Sequence, residues 1–171
     1  MVALSGCTKQ ETKLEPVYTD VVLNGDRCIL PFKADKLEML GYSPMNMDAD
    51  AVISGNDNVV YFSNYVGEVI TVNLGTRHDD TPLYDSFVID ILADVGNTST
   101  SRLRVYGNIG LDSTVSDIKK VYGEPAVAQG DTELYTMSNE DGTKGVYVAV
   151  AEDKVVRIEA LNTLDFIQKE E

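Results

Sequence analysis

Apolar residues in this chain recur mostly at every second position and only briefly at helical spacing. In residues 145–151, Val146, Val148 and Val150 share one face. In residues 155–161, Val156, Ile158 and Ala160 point one way, and Arg157 and Glu159 point the other. One apolar and one polar face per strand predicts an antiparallel sheet covered on one side. Glu152-Asp153-Lys154 makes the hairpin loop between these runs, and residues 133–137 form a further strand before a turn signal at 139–142. Upstream, 59–62, 68–74 and 86–92 read as strands, the last with Phe87, Ile89 and Ile91 on one face. Val21–Leu23 and Cys28–Leu30 flank a turn at Asn24-Gly25-Asp26.

Helical spacing is clearest after Thr114. Val115, Ile118, Val121 and Tyr122 make one apolar stripe, Thr114 with Asp117 forms a capping box, and Gly123 and Pro125 stop the element. The spacing predicts a helix over 114–122. A second, weaker helix is predicted within residues 31–41, ending at Gly41. Each helix precedes a run of strands. The order predicts an α+β body of two helix-plus-antiparallel-meander repeats packed as one: unit 1 over 17–93, a connection over 94–102 and unit 2 over 103–168.

Composition changes the picture by exclusion. The chain has 171 residues, 28 acids against 14 bases and a net charge of −14. An acidic body gains nothing from counterion release, so no nucleic-acid partner is expected. With one histidine and two cysteines, His78, Cys7 and Cys28, the donors for a structural zinc site are missing. Phosphate-binding and nucleophile-elbow patterns are absent as well. No cofactor and no enzymatic activity are expected. Cys28 is read as a lone buried thiol, and His78 as a solvated loop residue beside acids.

The start of the chain carries a different message. Leu4-Ser5-Gly6-Cys7 resembles the lipobox of bacterial lipoproteins, and residues 8–16 read as a polar tether. The resemblance implies a lipid on Cys7 and a location in the bacterial cell envelope. Only Met1-Val2-Ala3 precede the box, against the ~7–15 apolar residues of an export signal. Residues 1–7 are therefore read as a truncated signal remnant, and contact with a membrane is expected through the lipid alone. The segment 109–125, "IGLDSTVSDIKKVYGEP", resembles β-lactamase-inhibitor-like and outer-membrane-assembly (SmpA/OmlA-type) small lipoproteins. That resemblance implies a helical pair against a small antiparallel sheet.

Three function classes follow. The first is a non-catalytic envelope lipoprotein that binds an unknown protein partner, with Tyr147 as a candidate contact because it alternates away from Val146 and Val148. The second is a calcium- or small-ligand-sensing module using the loop over 46–57, where Asn46, Asp48, Asp50 and Asp57 place oxygen atoms at spacings that can wrap a hard cation. Ala51 in place of the turn glycine, and an aspartate at the last position, weaken that pattern. The third is a carboxylate-based hydrolase, for which no pair of acids stands out.

Overall fold

The computed structural model describes residues 19–98, 101–139, 141–163 and 166. The chain opens with the hairpin β1 (Asp20–Leu23) and β2 (Asp26–Ile29), then β3 (Phe32–Lys33), α1 (Asp35–Met39) and β4 (Tyr42–Pro44). Next come β5 (Val52–Ile53), β6 (Asn58–Asn64), β7 (Val69–Gly75), β8 (Thr81–Pro82) and β9 (Phe87–Asp94). The second half contributes α2 (Val115–Tyr122), β10 (Val127–Gln129), β11 (Thr132–Ser138), β12 (Lys144–Ala151) and β13 (Lys154–Asn162).

One large antiparallel sheet dominates, in the order β10-β11-β12-β13-β9-β7-β6-β4, with β3 added beside β9. This corrects the expected α+β body of two helix-plus-meander repeats. The protein is mostly β, with 48% strand against 14% helix. The physical reason lies in α1. It runs for five residues, its N-cap Ala34 offers no side-chain acceptor, and Leu37 is its one buried residue. A single turn without a cap does not form a helical layer. Part of the segment predicted as helix pairs instead as β3, Phe32 opposite Val88.

The core lies on one face of the sheet. A cross-strand row runs Val60, Val72, Ile91, Ala160 and Val146, and a second runs Ala93, Ile158, Val148 and Tyr135. All are buried. They pack in one cluster with Leu23 and Cys28 of the first hairpin, Leu37 of α1, Ile118 of α2, and Leu103, Val105 and Ile109 from the chain between β9 and α2. Removing such apolar surface from water contributes roughly 1.5–3 kcal/mol per large side chain.

Helix α2 has the predicted extent. The Thr114 side chain accepts from the Asp117 backbone N–H, and the Asp117 carboxylate accepts from the Thr114 backbone N–H in return. Two register shifts alter the expected faces. The slip between Ala149 and Val150 puts Val155 in the core and leaves Val156 half-buried. The slip at Asn73/Leu74 pairs Leu74 with Val88, so Val88 is buried and Phe87 is only half-buried. A one-residue bulge reverses which side chains face inward.

Candidate functional site

The hairpin between β6 and β7 presents the most exposed large apolar side chain among those resolved, Tyr65 at 86%, next to Val66 at 51%. The loop is short because Gly67 takes a positive φ of 81°, which closes a three-residue turn. The Gly67 N–H donates to the Asn64 carbonyl at 3.0 Å, and the Asn64 N–H donates to the Glu68 carbonyl at 3.1 Å. The Asn64 side-chain oxygen accepts from the N–H groups of Val66 at 3.1 Å and Glu68 at 3.0 Å. Its amide nitrogen donates to Glu68 Oε2 at 2.9 Å.

Glu68 itself is 1% exposed. Its Oε1 accepts from the Ser101 hydroxyl at 3.1 Å and from the Arg102 backbone N–H. The Arg102 guanidinium continues to Asn24 Oδ1, at 2.7 Å, in the turn between β1 and β2. Tyr42 of β4 is fully buried beside this carboxylate. Burial first, then the Glu68 charge, pushes its phenol up from the ordinary tyrosine range. A buried carboxylate costs several kcal/mol unless it is fully hydrogen-bonded. Here it is bonded on both oxygens, and the network fixes the backbone under Tyr65.

Beyond Ser63, β6 carries further exposed apolar side chains. Along β6, Val59 is 49% exposed and Tyr61 38%, both facing away from the core, and Met45 beyond β4 lies beside Tyr61 at 58%. The Met45 N–H donates to the Tyr61 carbonyl at 2.8 Å. Asn46 then closes the sheet edge with its side chain: its amide nitrogen donates to the Val59 carbonyl at 3.2 Å, and its oxygen accepts from the Tyr61 N–H at 2.9 Å.

That role bears on the expected calcium loop. The Asn46 oxygen is held against β6, while Asp48, Asp50 and Asp57 are exposed. Within the same loop, Val52 and Ile53 pair with Pro82 and Thr81 of β8. Among the described residues, no group of three His, Cys, Asp or Glu side chains stands where it could hold a metal ion. The structure makes Asn46 an edge cap and does not gather the three acids into a group that could hold a metal ion.

Tyr147 stands on the outer face of the sheet, half-buried between Thr136 and Glu159, in a row that continues through Leu92 and Thr71 to Tyr61. Three strands, β13, β9 and β7, separate it from the β6 stripe, so the two tyrosine positions do not form one patch. His78 is exposed in the loop after β7, where its carbonyl accepts from the Thr81 hydroxyl at 2.6 Å. Cys28 is free, 1% exposed, and burial pushes its thiol up. Cys7 and the tether at 8–16 lie outside the described residues. No helix among the described residues is long and apolar enough to cross a membrane.

A groove of about 420 Å³ lies between α2 and the turn before it, lined by residues including Arg104, Asp112, Asp117 and Lys120. Its charges are paired internally, Arg104 to Asp112 at 3.0 Å and Lys120 to Asp117 at 3.2 Å. It lacks the convergent unpaired groups of a catalytic cleft.

Reasoning from periodicity missed Tyr65 and Glu68. The available signal is Asn64-Tyr65-Val66-Gly67, a turn with glycine at the position that needs a positive φ. Compared with known proteins, the chain matches no family model, no curated protein and no solved structure.

Proposed function

We propose that this chain is a non-catalytic, lipid-anchored protein of the bacterial cell envelope that docks a partner protein through the β6–β7 tip and the β6 stripe. One observation carries the docking assignment: the exposed Tyr65–Val66 pair sits on a turn braced from beneath by a buried carboxylate. A rigid aromatic anchor loses little conformational freedom on binding. Val59, Tyr61 and Met45 extend the apolar centre, and the exposed acids of the 46–57 loop make a charged rim beside it. With a net charge of −14, the fitting partner is a protein that offers an apolar pocket bordered by basic residues.

Leu4-Ser5-Gly6-Cys7 followed by a polar segment supports the anchor. Metabolic lipid labelling of the full-length precursor tests it: label on wild type and none on Cys7→Ala supports it, and equal labelling of both overturns it. Docking is tested by comparing wild type with a Tyr65→Ser/Val66→Ser variant in binding to envelope extract. Loss of a discrete bound protein from the variant, with the fold retained, supports the tip assignment. Equal capture by both removes it.

A further inference from the structure

The strands before residue 95 and those after residue 126 share one sheet through a single pairing among the described residues, β9 with β13. It holds five residue pairs, from Arg157 opposite Asp94 to Leu161 opposite Asp90. On its outer face, Asp90 of β9 and Glu159 of β13 are diagonal neighbours, because Glu159 faces Leu92 and Leu161 faces Asp90. Diagonal side chains on one sheet face are within reach of each other.

We propose that Asp90 and Glu159 form a proton-operated latch on this seam, closed when one carboxyl carries a proton and loosened when both are ionised. The charged partner that faces the pair is Arg157, and Glu159 already engages it. Asp90 Oδ1 is buried and without a hydrogen-bond partner. From β7, the facing group is Asn73, which is neutral and engaged: its oxygen accepts from the Asn58 N–H at 2.9 Å and its nitrogen donates to the Asn56 carbonyl at 3.4 Å. From β13, Arg157 donates to Glu159 Oε2 at 2.7 Å. Along β9, Asp94 is taken up by the turn that follows, accepting from the Gly96 N–H at 2.8 Å. Lys33 of β3 pairs with Asp85 at the far end of the strand. Tyr147 stands opposite Glu159 on β12.

A protonated Asp90 can donate to Glu159, and that hydrogen bond crosses the seam. When Asp90 ionises, two like charges face each other in a half-buried site and the bond is lost. Burial first, then the Glu159 charge, pushes the Asp90 carboxyl up to about 7, with Arg157 acting in the opposite direction. The latch is therefore closed in mildly acid surroundings and open in mildly alkaline ones. It goes beyond the docking assignment and does not depend on it.

Amide hydrogen exchange at Ile91 and Ala160, which face each other across the seam, reads it directly, corrected for intrinsic chemistry and compared between pH 5.5 and pH 8.5. Wild type should lose protection about tenfold or more on the alkaline side. Asp90→Asn, whose amide donates to Glu159 at every pH, should change less than about twofold. Equal losses in both proteins would overturn the latch. A second reading needs no variant: carbon-detected titration of the wild-type carboxyls should place one of the pair near neutrality, and both titrating below pH 5 would overturn the proposal even where Asp90→Asn fails to fold.

Discussion

Asn64 and Glu68, four residues apart across one hairpin turn, are hydrogen-bonded at 2.9 Å in a buried site beneath the most exposed aromatic residue described. The bond joins the turn to Ser101 and Arg102, more than thirty positions further along. A local loop is thereby fixed by a long-range contact. That coupling distinguishes the tip from an ordinary mobile hairpin end.

Glu68→Ala should destabilise the protein by about 2–4 kcal/mol, because Asn64, Ser101 and the Arg102 N–H lose a common acceptor in a buried site. Glu68→Gln should also cost more than about 1 kcal/mol, since one of its two positions becomes a donor facing donors. Urea unfolding with an unchanged slope measures both. Losses under about 0.5 kcal/mol would show that the network is not what holds the turn.

Gly107→Ala should be among the more costly glycine substitutions. The residue has φ of 76°, and an added Cβ would stand 2.5 Å from Val121 Cγ1 of α2. Strain and overpacking together should cost about 2–4 kcal/mol. Gly130→Ala, with φ of 59° and open space around it, should cost less. Similar losses at the two positions would contradict the close packing of α2 on the preceding turn.

Thr114→Ala removes one half of the capping box and should cost about 1 kcal/mol in chemical denaturation. Asp117 tests the other half. Its hydrogen bond with Thr114, then that with Lys120, holds its carboxyl below the ordinary aspartate range. A depressed native value contributes stability above the unfolded value, lost as pH falls through the native one. The stability gap between wild type and Asp117→Asn should therefore shrink on acidification below about pH 4.

Asp90 carries the opposite sign. Its native value is raised, so its contribution is complete below the unfolded value of 3.8 and is lost as pH rises through about 7. With the two aspartates acting against each other, the thermal midpoint should be highest near about pH 4, falling as pH rises from there through about 7 and again on further acidification. A midpoint that rises steadily from pH 5 to pH 8 would contradict the assignment of Asp90.

The strands around Val146, Val148, Ile158 and Ala160 are legible in the sequence because alternation over seven or more residues has one simple reading. So is α2, where stripe, capping box and stop signal agree. The bulges beside Val150 and Leu74 are not legible, because a one-residue slip is decided by pairing partners elsewhere in the sheet. The predicted balance of helix and strand fails at α1, where a leucine and a terminal glycine mark a single turn and not a layer. At the candidate site, Tyr65 and Gly67 announce a turn. Nothing local announces that Glu68 is buried, since its partners Ser101 and Arg102 come from the segment expected to be a plain connection. The acids Asp48, Asp50 and Asp57 are the reverse case. Their spacing suggests a shared ligand, but the β5–β8 pairing sets the course of the loop.

Docking through the tip is tested most directly by photocrosslinking in intact cells, with a photoreactive phenylalanine placed at position 65 and, as a control, at position 153 in the β12–β13 turn. The expected result is a discrete adduct with a second protein from position 65 and none from position 153. Adducts of equal yield from both positions, or adducts from position 65 with lipid alone, would contradict protein docking at Tyr65.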